Sequence, residues 1–399
     1  MIGALTGCGH AAVPAAAEAA RPFTVTPVAS FSSPWAMAFL PGSGRRLLDT
    51  ALVTEKEGKL WLVDTRTSAK TAVRGVPVVK AGGQGGLLDV VVAPSFAADQ
   101  RIYLTYSEPS RLGGSGLALA RAKFARGPSP HLKELEVIWR DPAGGKGGQF
   151  GGIVAFAPDG RSLFLSSGER QRFDPAQNPA QPIGKILHLT LDGKPAPGNP
   201  GAGTVGADSV TIADPPANTV AARTARGRAF AWPGANLTPA ETWSSGHRNP
   251  YGLAFDASGR LWATEMGPKG GDELNLIRPG RNYGWPEVSE GQNYDGVPIP
   301  AHATQPQFER PMLYWVPSIS PSSLLIYSGA RFPDWRGNGL IGALSGQALI
   351  RVALDKNGAR KLDQWDMGAR IRFVAQGPDG AVYLLKDEGP LVRLDPVRQ

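Results

Sequence analysis

The sequence predicts an all-β chain folded as a six-bladed β-propeller, on three observations. A short pattern recurs along the chain: an apolar pair, a turn carrying Pro or Gly, then an alternating strand. The 51 glycines and 36 prolines suit many short strands joined by turns. No long stretch carries the 3.6-residue period of an amphipathic helix. A β-sandwich with coincidental turns is the alternative architecture.

The copies run in order. They read AFLPGSGRRLL from Ala38, VVAPSFAADQRIYLTY from Val91, AFAPDGRSLFLSS from Ala155, AFDASGRLWATE from Ala254 and AQGPDGAVYLLKD from Ala375. The Pro, Asp or Ser, and Gly residues at their centres are type I or II turn chemistry. Alternation such as Leu163-Phe164-Leu165 marks the strand that follows. Equivalent turn positions fall at 41, 94, 158, 257 and 378, so the steps are 53, 64, 99 and 121. The third step contains a Gly/Pro/Ala-rich insertion, about 194–239, expected to loop out. The fourth is about twice a unit, and SPSSLLIYSGARFPDWRGNGLIGAL from Ser320 supplies the missing copy. Six units of roughly four strands each make a propeller, whose ligand site is built by loops at one end of a central channel.

Composition bounds the rest. With 399 residues, 42% of them hydrophobic, the chain can bury a large core, and 23–399 is read as one propeller domain. No apolar run approaches the roughly 18 residues that span a bilayer. The net charge is +8, but its lysines and arginines are scattered. That pattern argues against a nucleic-acid partner, and the basic balance suits an anionic cofactor or an anionic membrane surface. The single cysteine, Cys8, excludes an internal disulfide and a thiolate metal site. Its context, Leu5-Thr6-Gly7-Cys8, is similar to a bacterial lipobox. The segment before it is too short for a signal peptide and lacks a basic start, so either the true start lies upstream or the match is chance. Residues 1–22 are therefore set apart from the fold as a signal- or lipobox-like tether, and the expectation is a periplasmic protein with a lipid anchor at Cys8.

Several familiar signatures are missing. There is no GxxxxGK[ST] and no HExxH, and the five histidines are isolated. Gly201–Gly206 matches GxGxxG, but it sits in the insertion without the preceding strand and following helix that a nicotinamide site needs.

The informative stretch is Gly246–Pro286, GHRNPYGLAFDASGRLWATEMGPKGGDELNLIRPGRNYGWP. Arg248-Asn249 puts a guanidinium beside an amide, which suits forked hydrogen bonds to a carboxylate or quinone oxygen; a polar turn capped by Asn-Pro is the plainer reading. Gly267–Gly271 lets the backbone fold back and expose carbonyls ahead of Asp272-Glu273. Carbonyls mixed with carboxylates suit a hard cation such as calcium, or simply form a solvated acidic turn.

From about Phe31 to Leu391, insertion excluded, the chain resembles the soluble glucose/sorbosone dehydrogenase family. Members are six-bladed propellers that oxidise aldoses with pyrroloquinoline quinone (PQQ) and calcium. The resemblance implies that Gly267 and Pro268 offer carbonyls to the cofactor calcium, and that Glu273 and Tyr283 help hold a second one. It implies that Asp272, Arg248 and Asn249 contact PQQ. It adds Gln84, in Gly82-Gly83-Gln84-Gly85-Gly86, and the pair Arg370 and Arg372, which a strand start would aim to one side. Its catalytic segment, G-H-F-G-x-R, is matched here by Gly148-Gln149-Phe150-Gly151-Gly152-Ile153. Gln149 stands where the histidine base belongs and Ile153 where the arginine belongs, while Ser345 and Met266 replace a lysine and a glutamine. An amide orients a hydroxyl but has no basicity to take its proton.

The expected activity is PQQ- and calcium-dependent oxidation of an aldose at C1 to the lactone. Gln149 and Arg248 stand at the reacting centre, and no motif names the sugar or the electron acceptor. Glu169 or His247 could replace the missing base. The alternatives are a substrate needing no base there, a non-catalytic sugar- or quinone-binding propeller, and a calcium-dependent lactonase-like hydrolase.

Overall fold

The computed structural model describes residues 21–41, 49–356 and 358–397; Cys8 and its lipobox-like context lie outside them. Six four-stranded antiparallel sheets form the blades of a six-bladed β-propeller. The innermost strands are Pro34–Phe39, Leu87–Val92, Gly151–Phe156, Pro250–Phe255, Pro321–Ile326 and Ile371–Gln376. Each runs into one of the repeated turns, including the sixth copy read from Ser320. They pack side by side in a closed ring, the last against the first.

The ring is tied by hydroxyls. Thr54 Oγ1 in blade one donates to Leu88 O of blade two at 2.7 Å. Thr105 does the same to Gly152 O at 2.5 Å, and Ser166 to Pro250 O at 3.0 Å. These side chains are fully buried, so each must find a partner, and the nearest is the next blade's backbone. Every innermost strand also breaks register with its neighbour near its first residues, between Gly151 and Val154 in blade three and between Pro250 and Gly252 in blade four. Such bulges bend the strand and re-aim the residues at its start. That end of the ring carries the site.

The circle closes by exchange of strands. Phe23–Ser30 pairs antiparallel with Pro390–Pro396 and becomes the outer strand of blade six. Phe23 anchors it, its ring edge-on to Trp335 at 5.9 Å and Trp365 at 5.3 Å. The insertion is not the plain loop expected. It folds as a hairpin, Ser209–Ala213 with Gly227–Ala231, joined through a short helix at Thr219–Thr224. Val210, Ile212 and Phe230 pack on Ala143 and Ala180. Apolar alternation in SVTIA was enough to bury one face of a hairpin. Among the described residues, no helix is long and apolar enough to cross a membrane.

Candidate active site

The loops that feed the inner strands converge on a cavity of about 610 Å³. Gln84, Gln149, Arg248, Asn249, Gly267 and Pro268 all line it, so four separate stretches of sequence meet there. Gln84 is the knot between blades. Its Oε1 accepts from Gln149 N at 2.9 Å and from Tyr251 Oη at 3.0 Å. Gln149 takes a left-handed conformation, φ 53°, directly after Gly147-Gly148. Gly147 is obligatory there: a Cβ would lie 2.0 Å from Arg170 O.

The groups around Gln149 orient its amide. With the amide turned to suit both neighbours, the nitrogen donates to Glu169 and the oxygen accepts from Arg248 Nη2 at 2.8 Å. Glu169 is buried and also accepts from the backbone N–H groups of Gln171, Arg172 and Phe173. Burial pushes its carboxyl above the usual range, against the pull of the Arg248 charge and of those N–H groups. Arg248 in turn donates through Nη1 to Met266 O at 3.0 Å and Gly267 O at 2.6 Å. Its guanidinium lies over Trp285 at 5.2 Å, and its Nε is buried with no partner. Asn249 Oδ1 accepts from Gly151 N at 3.3 Å.

Other expected residues stand behind the wall. Asp272 is fully buried and accepts from Gly267 N at 2.8 Å and from Ile319 N and Ser320 N at 2.7 Å each. It braces the glycine loop against the entry to the next blade. Arg370 and Arg372 do face one side, as strand alternation requires, but they share one carboxylate there. Arg370 Nε meets Asp387 Oδ2 at 2.9 Å, and Arg372 Nε meets Asp387 Oδ1 at 2.8 Å. Arg372 also lies over Trp35 at 4.4 Å. Neither arginine lines the cavity.

Beneath Arg248 a small cavity is bordered by Glu265, Gly267, Gly271, Glu273 and Tyr283. Glu265 and Glu273 are cross-strand partners. Burial pushes Glu265 up to about 7; burial and then the Glu265 charge push Glu273 to about 8. Asn275 Nδ2 donates to Glu273 at 2.9 Å. Two buried carboxylates facing each other are a cost that a divalent cation relieves. Tyr283 borders this space, but its hydroxyl donates to Leu276 O at 2.6 Å and accepts from Arg278 N at 3.0 Å. No cluster of three or more His, Cys, Asp or Glu side chains that could hold a metal exists among the described residues. A cation here would draw its remaining ligands from backbone carbonyls and water.

A model of the family described as glucose/sorbosone dehydrogenase matches residues 31–212 and 223–393, which is most of the chain and all six blades. The chain belongs to this family. The aldose sugar dehydrogenase YliI of Escherichia coli is 35% identical over 91% of this chain and 90% of its own. The quinoprotein glucose dehydrogenase B of Acinetobacter calcoaceticus is 25% identical over 86% and 84%. Among solved structures, the PQQ-bound aldose sugar dehydrogenase of Streptomyces coelicolor superposes with a TM-score of 0.69 at 28% identity, covering 94% of this chain and 98% of that one. The apo aldose sugar dehydrogenase of Escherichia coli reaches 0.80 at 33% identity, covering 94% and 100%.

At the positions singled out in the sequence as departures from the resembled motif, the structure shows what each side chain touches. Ile153 joins the core with Phe164, Ile186 and Leu253. Ser345 bonds Ser320 Oγ at 2.8 Å on the cavity wall. His247 cannot be the replacement base: it is fully buried, bonded through Nε2 to Ser244 at 2.8 Å and stacked on Tyr283 at 4.7 Å. Burial pushes it down to about 3. Sequence reading missed Glu265, which in WATE resembles any strand-end acid, and the wall formed by Glu290, Gln292, Tyr294 and Ser318, which no motif marks.

Proposed function

We propose that this chain oxidises an aldose at C1 to the lactone, with PQQ as the electron acceptor and calcium as its partner ion. The observation that carries the reading is the convergence of Gln84, Gln149, Arg248 and Asn249 on one cavity walled by the Gly267-Pro268 loop. The donor set fits an anionic, oxygen-rich ligand. Three amides and a guanidinium converge, and the buried Arg248 Nε lacks a partner. The facing pair Glu265 and Glu273 fits a cation nearby. The PQQ-bound Streptomyces coelicolor relative supports the same choice of cofactor.

When bound, the quinone supplies the acceptor for the hydride leaving C1, and calcium supplies Lewis-acid polarisation of it. Arg248 and Asn249 would hold its oxygens, with Arg370 and Arg372 adding positive charge from behind. Gly267 and Pro268 would present carbonyls to the first cation, and Glu265 and Glu273 would hold a second. Gln149 orients the C1 hydroxyl and carries no proton. Glu169 is the base. Burial makes its carboxylate more basic than an exposed one, and the C1 hydroxyl reaches Glu169 Oε1 by displacing the Gln149 amide nitrogen. The O–H proton passes to Glu169, the C1–H leaves with its electron pair, and the C1–O bond becomes the lactone carbonyl.

A non-catalytic binding propeller is the second reading, favoured by one observation: both ends of the Gln149 amide are already engaged. The Cys8 motif supports a periplasmic, lipid-anchored location. The test is to titrate purified protein with PQQ and calcium, then follow dye reduction with a panel of aldoses. Binding with turnover supports the dehydrogenase. Tight binding without turnover supports the second reading. Calcium-dependent lactone cleavage without quinone binding overturns both in favour of a hydrolase.

A further inference from the structure

An amide offers an acceptor at one end and two donors at the other, so a glutamine on a cavity wall must be aimed before it can select a ligand atom. Gln84 sits in a tight glycine turn, with Gly85 N donating to Gly82 O at 2.9 Å. Lys56 Nζ holds that turn by donating to Gly83 O at 2.6 Å. The backbone is thus fixed, and the side chain is aimed by two other blades. Gln149 N, at the start of blade three, can only donate, so the Gln84 atom 2.9 Å from it is the oxygen. Tyr251 Oη donates to the same Oε1 at 3.0 Å. Gln84 is half-buried on the cavity wall, and its Nε2 has no partner among the described residues.

Tyr251 is placed for this contact from across the ring. It is the second residue of the inner strand of blade four and is fully buried. Trp35 is the second residue of the inner strand of blade one, the opposite member of the six. Their rings meet edge-on at 5.6 Å and 84°. Trp35 is held in turn by the Arg372 guanidinium over its face at 4.4 Å, and Arg372 by Asp387. Burial pushes the Tyr251 hydroxyl up to about 12, so it keeps its proton through neutral pH.

We infer that Tyr251 is a positioning residue: braced across the propeller axis by Trp35, its hydroxyl occupies Gln84 Oε1 and leaves the Nε2 donor for the cavity. The ligand atom that meets Gln84 is then a hydrogen-bond acceptor, such as a quinone or carboxylate oxygen. That choice of ligand rests on the dehydrogenase reading above, whereas the aiming of the amide does not.

A double-mutant cycle on the full chain separates aiming from packing, because Tyr251→Phe keeps the ring against Trp35 and removes only the hydroxyl. PQQ is titrated by calorimetry in the presence of calcium. Tyr251→Phe should weaken PQQ by about 5-fold, within the worth of one hydrogen bond, since a single N–H then aims the amide. In a Gln84→Ala background the same substitution should change PQQ affinity by less than about 2-fold. Equal weakening in both backgrounds overturns the inference, and so does unchanged affinity when Gln84 is present. The urea midpoints of the same four proteins form a second cycle that needs no ligand. If PQQ fails to bind the wild type, the dehydrogenase reading falls and this cycle decides: non-additive midpoints uphold the Tyr251–Gln84 lock, and additive midpoints overturn it.

Discussion

The carboxamide of Gln149 bridges Glu169 and Arg248, nitrogen on the carboxylate and oxygen on the guanidinium. A neutral group thus separates a buried carboxylate from a buried guanidinium. In the reaction proposed above Glu169 takes the proton, and that role is testable.

Glu169→Gln removes the carboxylate bonded to Gln149 while preserving shape. Aldose turnover of the quinone-loaded protein should fall by about 10²–10⁴-fold with quinone affinity unchanged. Stopped-flow reduction of the bound quinone measures it. Undiminished turnover would remove Glu169 from the mechanism.

Gln149→His places an imidazole between the same two partners. If wild-type protein turns over slowly, this variant should raise the rate by about 10-fold or more, with a pH profile rising near the histidine range. Activity found only in the variant would establish the non-catalytic reading of the natural chain.

Asp272→Asn leaves one oxygen to serve Gly267 N, Ile319 N and Ser320 N. With one buried N–H left unpaired, the change should destabilise by about 1–3 kcal/mol. It should also weaken calcium binding by loosening the Gly267–Gly271 loop. Thermal melts and a calcium titration read the two effects separately.

Calcium should raise the melting temperature of wild-type protein and a chelator should reverse it. At 100 times its Kd the ion contributes about 2.7 kcal/mol. Glu273→Gln should remove most of this increment. An increment of full size in that variant would show that calcium binds elsewhere.

Glu241 makes stability depend on pH. Burial pushes it up to about 7, while Trp139 Nε1 donates to it at 3.0 Å. A folded value above the unfolded one means that the fold holds the proton more tightly. Its contribution is present in full below the unfolded value of 4.5 and is lost as pH rises through about 7. The loss is on the order of 3 kcal/mol at most. Asp89, pushed up to about 6 by burial, acts in the same direction. Glu241→Gln should therefore narrow the difference in urea midpoint between pH 5 and pH 8; an unchanged difference would rule the group out.

The blades were legible because their signal is local. Each inner strand runs straight into a Pro/Gly turn whose chemistry acts over four residues, so positions 41, 94, 158, 257 and 378 could be aligned by eye. The hairpin at 209–231 escaped notice because low-complexity flanks masked the alternation in SVTIA. At the site, Arg248 and Asn249 were legible because two adjacent polar groups follow a glycine before a strand. Glu265 was not, since what distinguishes it is the carboxylate of Glu273 across the sheet.

Local chemistry alone therefore set the repeat, the number of blades and the strand face on which Arg370 and Arg372 lie, because turns and alternation depend only on near neighbours. Which of these charges meets the cavity was decided by strand pairing within blades and by packing between them. Asp387 draws both arginines onto itself, three backbone N–H groups claim Asp272, and the strand pairing of blade three brings Glu169 to within reach of Gln149. Side chains that pair with partners across a hairpin or on the next blade have no signature in their own surroundings, and their partners become fixed only when the strands pair and the blades pack.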